Sequence, residues 1–217
     1  MDAQDAREAL SVLPEPFPAT ESFLVPEALV VPEGFLLAEN VARRICHDFA
    51  SLLGTLNGLT ELSAEDPEAA LLARETARRL VARLQLVRGA WGGGGDDLDG
   101  AAIMALAEGL PGAERLQVDC SALDGVLEGV AARLCLCLLL AGAGAMPRGG
   151  IIRVGGGGQD VWVELDGPRA AWPVSLAAPT DASADPRDLP AVLCQVLAAA
   201  SGWRIVVEAA RARAWRD

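Results

Sequence analysis

Between Leu36 and Leu62 the apolar residues Val41, Ile45, Phe49, Leu52, Leu56 and Leu59 recur at intervals of three and four, the spacing that gathers side chains on one face of an α-helix. No other feature limits the fold as tightly. The run ends in Ser63-Ala64-Glu65-Asp66-Pro67, where Asp66 suits an N-cap and Pro67 the first helical position, whose N–H has no partner inside a helix. A second periodic helix then continues to about Trp91. So short a turn makes the two helices antiparallel neighbours. A lone hairpin buries only one stripe well, so this one is expected to join a second copy as a homodimer with a four-helix bundle.

Around the hairpin the composition changes twice. Residues 1–35 carry Pro14, Pro16, Pro18, Pro26 and Pro32, which block any long helix and predict an extended leader. The run Gly92 to Gly95 closes the hairpin unit at 36–91, and a mixed region follows at 96–217. There the pattern predicts a short helix near 97–109, a strand at Leu116–Val118, a helix from Leu123 to Ala145 and a strand at Gly150–Val154. Gly155 to Gly158 reads as a hairpin turn into the alternating strand Val161–Leu165, and a helix near 188–201 and a strand from Trp203 to Val207 complete an α/β sandwich. The fold class is therefore α+β.

Bulk properties remove several functions. A net charge of −12 disfavours nucleic acid, whose phosphates attract Lys/Arg surfaces. The longest apolar run, Leu134 to Met146, falls short of the roughly 20 residues of a membrane span and reads as a buried helix. The acidic start, Met1 to Asp5, is unsuited to an export signal, so a cytoplasmic location is expected. Cys46, Cys120, Cys135, Cys137 and Cys194 form no CxxC pair and no metal-ligand set, and are expected to be reduced core thiols. The four-glycine runs lack the Lys-Ser/Thr of a phosphate-binding loop and read as linker and turn. The five tryptophans are scattered, as core or boundary residues are.

His47 is the only histidine. At about 100° per residue it falls roughly 200° from the apolar stripe, so it faces solvent. Arg43, Arg44, Ala50, Ser51, Gly54 and Gly58 share that side, leaving the helix bare of bulk. Gly54 and Gly58 each cost roughly 1 kcal/mol relative to alanine in a helix interior. Docking of a second protein would explain them, and so would a kink or tight packing within the bundle. Asp48 suits nucleophilic chemistry, because a carboxylate that binds one imidazole nitrogen leaves the other nucleophilic. Taken alone, an exposed His-Asp pair also reads as ordinary solvated surface.

The segment Arg44-Ile45-Cys46-His47-Asp48-Phe49-Ala50-Ser51-Leu52-Leu53-Gly54-Thr55-Leu56-Asn57-Gly58-Leu59-Thr60-Glu61-Leu62 resembles the H-box helix of histidine kinases, and more closely that of the ChpT-type histidine phosphotransferases. A second segment, Met146-Pro147-Arg148-Gly149-Gly150-Ile151-Ile152-Arg153-Val154, resembles that family's Pro-Arg-Gly-Gly turn and following strand. With the element order, the resemblance spans residues 36 to 208. It implies a dimerising phosphotransfer hairpin followed by a degenerate kinase-like ATPase domain. His47 and Asp48 would be the catalytic pair, and Arg43, Arg44, Ala50, Ser51, Gly54 and Gly58 the docking face. The implied partners are response-regulator receiver domains, which bring their own magnesium, and a hybrid histidine kinase.

Departures from a working kinase set the expected cofactor. Where an active domain has a magnesium-binding Asn, about six residues before the Pro, Ala141 stands here. Asp166-Gly167-Pro168-Arg169-Ala170 misplaces the glycines of the adenine-reading loop, and Leu189-Pro190-Ala191-Val192-Leu193 carries bulk where the lid needs glycine. No ATP, other cofactor or metal of its own is expected. The alternative is a catalytically inactive adaptor that docks receiver domains or a histidine kinase.

Overall fold

A computed structural model describes residues 33–93, 95–177 and 187–216. The predicted leader lies outside these, apart from its last three residues, which begin the first helix. That helix, α1, is Glu33–Leu62, and α2 is Pro67–Trp91. Asp66 caps α2 as its position suggested, its Oδ1 accepting a hydrogen bond from the Glu68 N–H at 2.8 Å. The two helices are packed antiparallel neighbours. None of the side chains described from Gly34 onward in α1 is fully buried, and its stripe of Val41, Ile45, Phe49, Leu52, Leu56 and Leu59 is half-covered. The last turns of α2 differ, for Leu86 and Ala90 enter the core of the following region. From Glu33 onward the chain is one compact unit.

That region contains β1 (Leu98–Asp99), α3 (Gly100–Ala107), β2 (Leu116–Leu127), α4 (Gly129–Ala145), β3 (Gly150–Gly158) and β4 (Asp160–Asp166). The one-turn α5 (Val174–Ala177), α6 (Leu189–Ala200), β5 (Arg204–Glu208) and β6 (Arg211–Trp215) follow. The six strands run in the order β1-β2-β3-β4-β6-β5. Only β2 and β3 are parallel, and the apolar helix α4 makes the crossover between them. Twelve of its seventeen residues are buried, as befits a helix apolar all round. Val161, Val163 and Leu165 of β4 point into the same core. Among the described residues no helix is long and apolar enough to cross a membrane.

Three expectations need correction. The helix predicted from Leu123 begins at Gly129, because residues as far as Leu127 pair with the glycine-rich end of β3. The run Gly155–Gly158 is mostly strand rather than turn. Gly155 lies opposite Trp162, whose ring a Cβ there would strike, and the chain reverses at Gly158-Gln159. The strand β6 was not foreseen, since its inward positions, Ala212 and Ala214, carry too little apolar bulk to signal a strand.

The loop after α3 seats this body on the hairpin. Gly109 is buried against α2, where a Cβ would collide with the Ala82 carbonyl, so only glycine lets the two backbones touch. Its contact lies one residue from Arg83.

Candidate functional site

His47 projects from α1 with 83% of its side chain exposed. Its neighbour Asp48 is turned toward α2 and only 21% exposed. Imidazole Nδ1 lies 3.4 Å from Asp48 Oδ1, so a ring carrying its hydrogen on Nδ1 donates a long hydrogen bond there. That tautomer leaves the Nε2 lone pair facing outward. Asp48 Oδ2 accepts a firmer bond from Arg44 Nε at 3.0 Å, one helical turn earlier. Arg44 is thus half-buried and engaged, which corrects its assignment to the open face. Arg43 does lie there, paired with Glu39 at 2.9 Å across two exposed side chains.

Ala50, Ser51, Gly54 and Gly58 are all exposed below the ring. A Cβ added at Gly54 or Gly58 would meet nothing within 4 Å. Among the described residues, then, no neighbouring element presses on these glycines. Cys46 is exposed beside the histidine, contrary to the expectation of a core thiol. Cys135, Cys137 and Cys194 are buried and Cys120 half-buried. Burial pushes the Cys120 thiol up to about 11, with the Asp119 charge adding to it.

One residue escaped the sequence reading. Arg83, on α2, is partly buried and close enough to Asp48 and Arg44 for their charges to act on it. Burial lowers its pKa first, Asp48 opposes that, and Arg44 adds to it. Two guanidiniums thus flank the carboxylate behind the histidine. The signal was available in the hairpin register, since Arg83 lies sixteen residues past Pro67 and Cys46 sixteen before Leu62.

The region that resembles a nucleotide site is filled with apolar groups. Ala141 is buried in α4, and a Cβ at Gly142 would meet Leu165 at 2.8 Å and the Trp172 ring at 3.4 Å. Trp172 donates its indole N–H to the Ala210 carbonyl at 2.8 Å. At the start of α6, Leu189, Pro190, Ala191 and Val192 are buried. Among the described residues no three His, Cys, Asp or Glu side chains are grouped to hold a metal ion.

The family model of the histidine phosphotransferase C-terminal domain matches residues 100–213, the sandwich rather than the hairpin. The protein phosphotransferase ChpT of Brucella abortus (strain 2308) is 35% identical over 123 residues, which are 54% of this chain. The chain spans 59% of that relative's length. A solved structure of a bacterial phosphotransferase superposes with a TM-score of 0.66 at 28% identity, covering 82% of this chain and 95% of the other. With the family model spanning more than half of its 217 residues, the chain belongs to the ChpT-type histidine phosphotransferase family.

Proposed function

We propose that the chain relays phosphoryl groups through His47 between aspartates of response-regulator receiver domains. The observation that carries this reading is the exposed imidazole above a face where Gly54 and Gly58 leave open space. In the forward step the Nε2 lone pair attacks the phosphorus of an aspartyl phosphate. An N–P bond forms, the P–O bond to the aspartate breaks, and the electron pair leaves with the carboxylate. Asp48 holds the Nδ1 hydrogen and stabilises the positive charge that develops on the ring. The reverse step returns the phosphoryl group to another receiver domain.

A loose, metaphosphate-like transition state needs position and positive charge more than new covalent chemistry. Arg44 holds Asp48 in place, and the charge of Arg83 acts on it from α2. Arg43, one turn from His47, stands where it can meet an arriving phosphoryl group. Magnesium belongs to the receiver domain. The filling of the nucleotide-like region by Trp172, Leu189 and Val192 favours a relay that works without ATP of its own. Its upstream partner is a hybrid histidine kinase, and its setting the cytoplasm.

Phe35, Leu53, Leu62, Leu71, Leu72, Val81 and Leu84 leave the hairpin more apolar than a finished surface. Pairing with a second hairpin covers much of that area and makes a four-helix homodimer.

The test is to incubate the purified chain with a phosphorylated receiver domain and assay acid-labile, base-stable phosphate. Wild type should become labelled and His47→Ala should not, while the melting temperature stays put because the ring is exposed. Binding of receiver domains with no transfer would overturn the relay in favour of an adaptor. Labelling from ATP alone would overturn the nucleotide-free reading.

A further inference from the structure

At the base of the hairpin, away from the histidine face, a cavity of about 720 Å³ opens between α2, α3 and α4. Its volume falls in the range of small-molecule sites. Leu98, Leu106 and Leu136 supply apolar walls, and Arg88, Arg133 and Gln85 bring polar groups to the same space. Gly89 lets α2 come close, since a Cβ there would lie 2.9 Å from Leu136 Cδ1.

The two arginines set this cavity apart. The chain carries thirty Asp and Glu against eighteen cations, and several arginines outside the cavity take carboxylate partners, among them Arg43 with Glu39, Arg44 with Asp48 and Arg213 with Asp160. Among the described residues neither Arg88 nor Arg133 forms an ion pair, although the carboxylate of Asp96 also lines the cavity. Arg133 Nε is sealed from solvent and has no hydrogen-bond partner among the described residues. Guanidinium N–H groups suit the oxygens of carboxylates and phosphates, and a sealed donor gains most from meeting one.

We propose that this cavity binds a small organic anion, a carboxylate or phosphate held by Arg88 and Arg133 with its apolar body against Leu98, Leu106 and Leu136. Bound there, the ligand ties α2, the helix that carries Arg83, to α4 in the core. The site is independent of phosphotransfer at His47.

The test is calorimetric titration of the full chain with 4-phenylbutyrate and with phenyl phosphate, using neutral 4-phenyl-1-butanol as the control. One anion should bind at one site per chain, at least about tenfold tighter than the alcohol. Whichever anion binds more tightly assigns the head group. Arg133→Gln and Arg88→Gln should each weaken that anion about tenfold or more. Arg78→Gln, on an exposed arginine outside the cavity, should leave it unchanged. Ala102→Trp, which fills the cavity, should abolish binding of every probe. If Arg133→Gln disturbs folding, Arg88→Gln decides, because that side chain is exposed. Wild-type affinity in the Arg88 and Arg133 variants, an alcohol that binds as well as the anions, or no heat up to about 10 mM would overturn the proposal.

Discussion

Helices α1 and α4 belong to one chain and meet opposite fates. Seventeen-residue α4 has twelve buried residues, whereas thirty-residue α1 has none from Gly34 onward. Their glycines show the same contrast. Gly142 in α4 is pressed against Leu165 and Trp172, while Gly54 in α1 has empty space where a side chain would stand. A glycine required by packing is explained within the chain, and one that meets nothing directs attention outside it. Stability therefore concentrates in the sandwich, and the hairpin leaves its surface open.

The sharpest way to break this contrast is to truncate one leucine in each helix. Leu138→Ala removes a side chain that is 0% exposed and should cost about 2–5 kcal/mol in urea unfolding. Leu53→Ala, at a residue 51% exposed, should cost under about 1 kcal/mol in dilute protein. A larger loss at high concentration would show Leu53 covered in the dimer, and equal losses in dilute solution would remove the contrast.

The glycines sharpen it by sign. Gly142→Ala should destabilise by about 1–3 kcal/mol through overpacking. Gly54→Ala should stabilise by about 1 kcal/mol through helix propensity. Gly54→Leu and Ser51→Leu should keep the melting temperature but slow phosphotransfer, because bulk there obstructs a docking helix. Parallel losses of stability and transfer would refute the docking face.

Alkaline pH should probe the sandwich selectively. Burial raises the Cys137 thiol to about 12, and burial with the Asp119 charge raises Cys120 to about 11. An unfolded thiol ionises near pH 8.5. Below about pH 8 both states keep these protons; above that the unfolded chain releases them first, so stability falls as pH rises toward 11. The chain has no tyrosine or lysine to mask this, and a melting temperature flat from pH 8 to about 10 would contradict it. The smallest effect is expected from Glu164→Gln on the sheet surface. Its partners Arg153 and Arg211 are partly exposed, and the loss should be about 0–1 kcal/mol.

The hairpin was legible because its signals are local. The spacing from Val41 to Leu59, the Asp66-Pro67 start and the angular distance of His47 from the apolar stripe all lie within a few turns of chain. The sandwich was legible in outline and misread at its edges. Glycines 155 to 158 suggest a turn until Trp162 is seen lying over Gly155, and Ala212 and Ala214 form a strand only because β4 and β5 flank them. Cys46 was read with the other cysteines as a core thiol, yet it is exposed on the helix beside His47.

By itself the sequence determined which way His47 faces, since helical periodicity sets direction without reference to the rest of the molecule. Tertiary structure alone decided what stands behind that residue. Arg83 approaches the Arg44–Asp48 pair from a second helix. The cavity between Arg88 and Arg133 likewise exists only where three helices converge. Charge pairing and enclosed space depend on distances between segments remote in sequence, and those are fixed only when the chain packs.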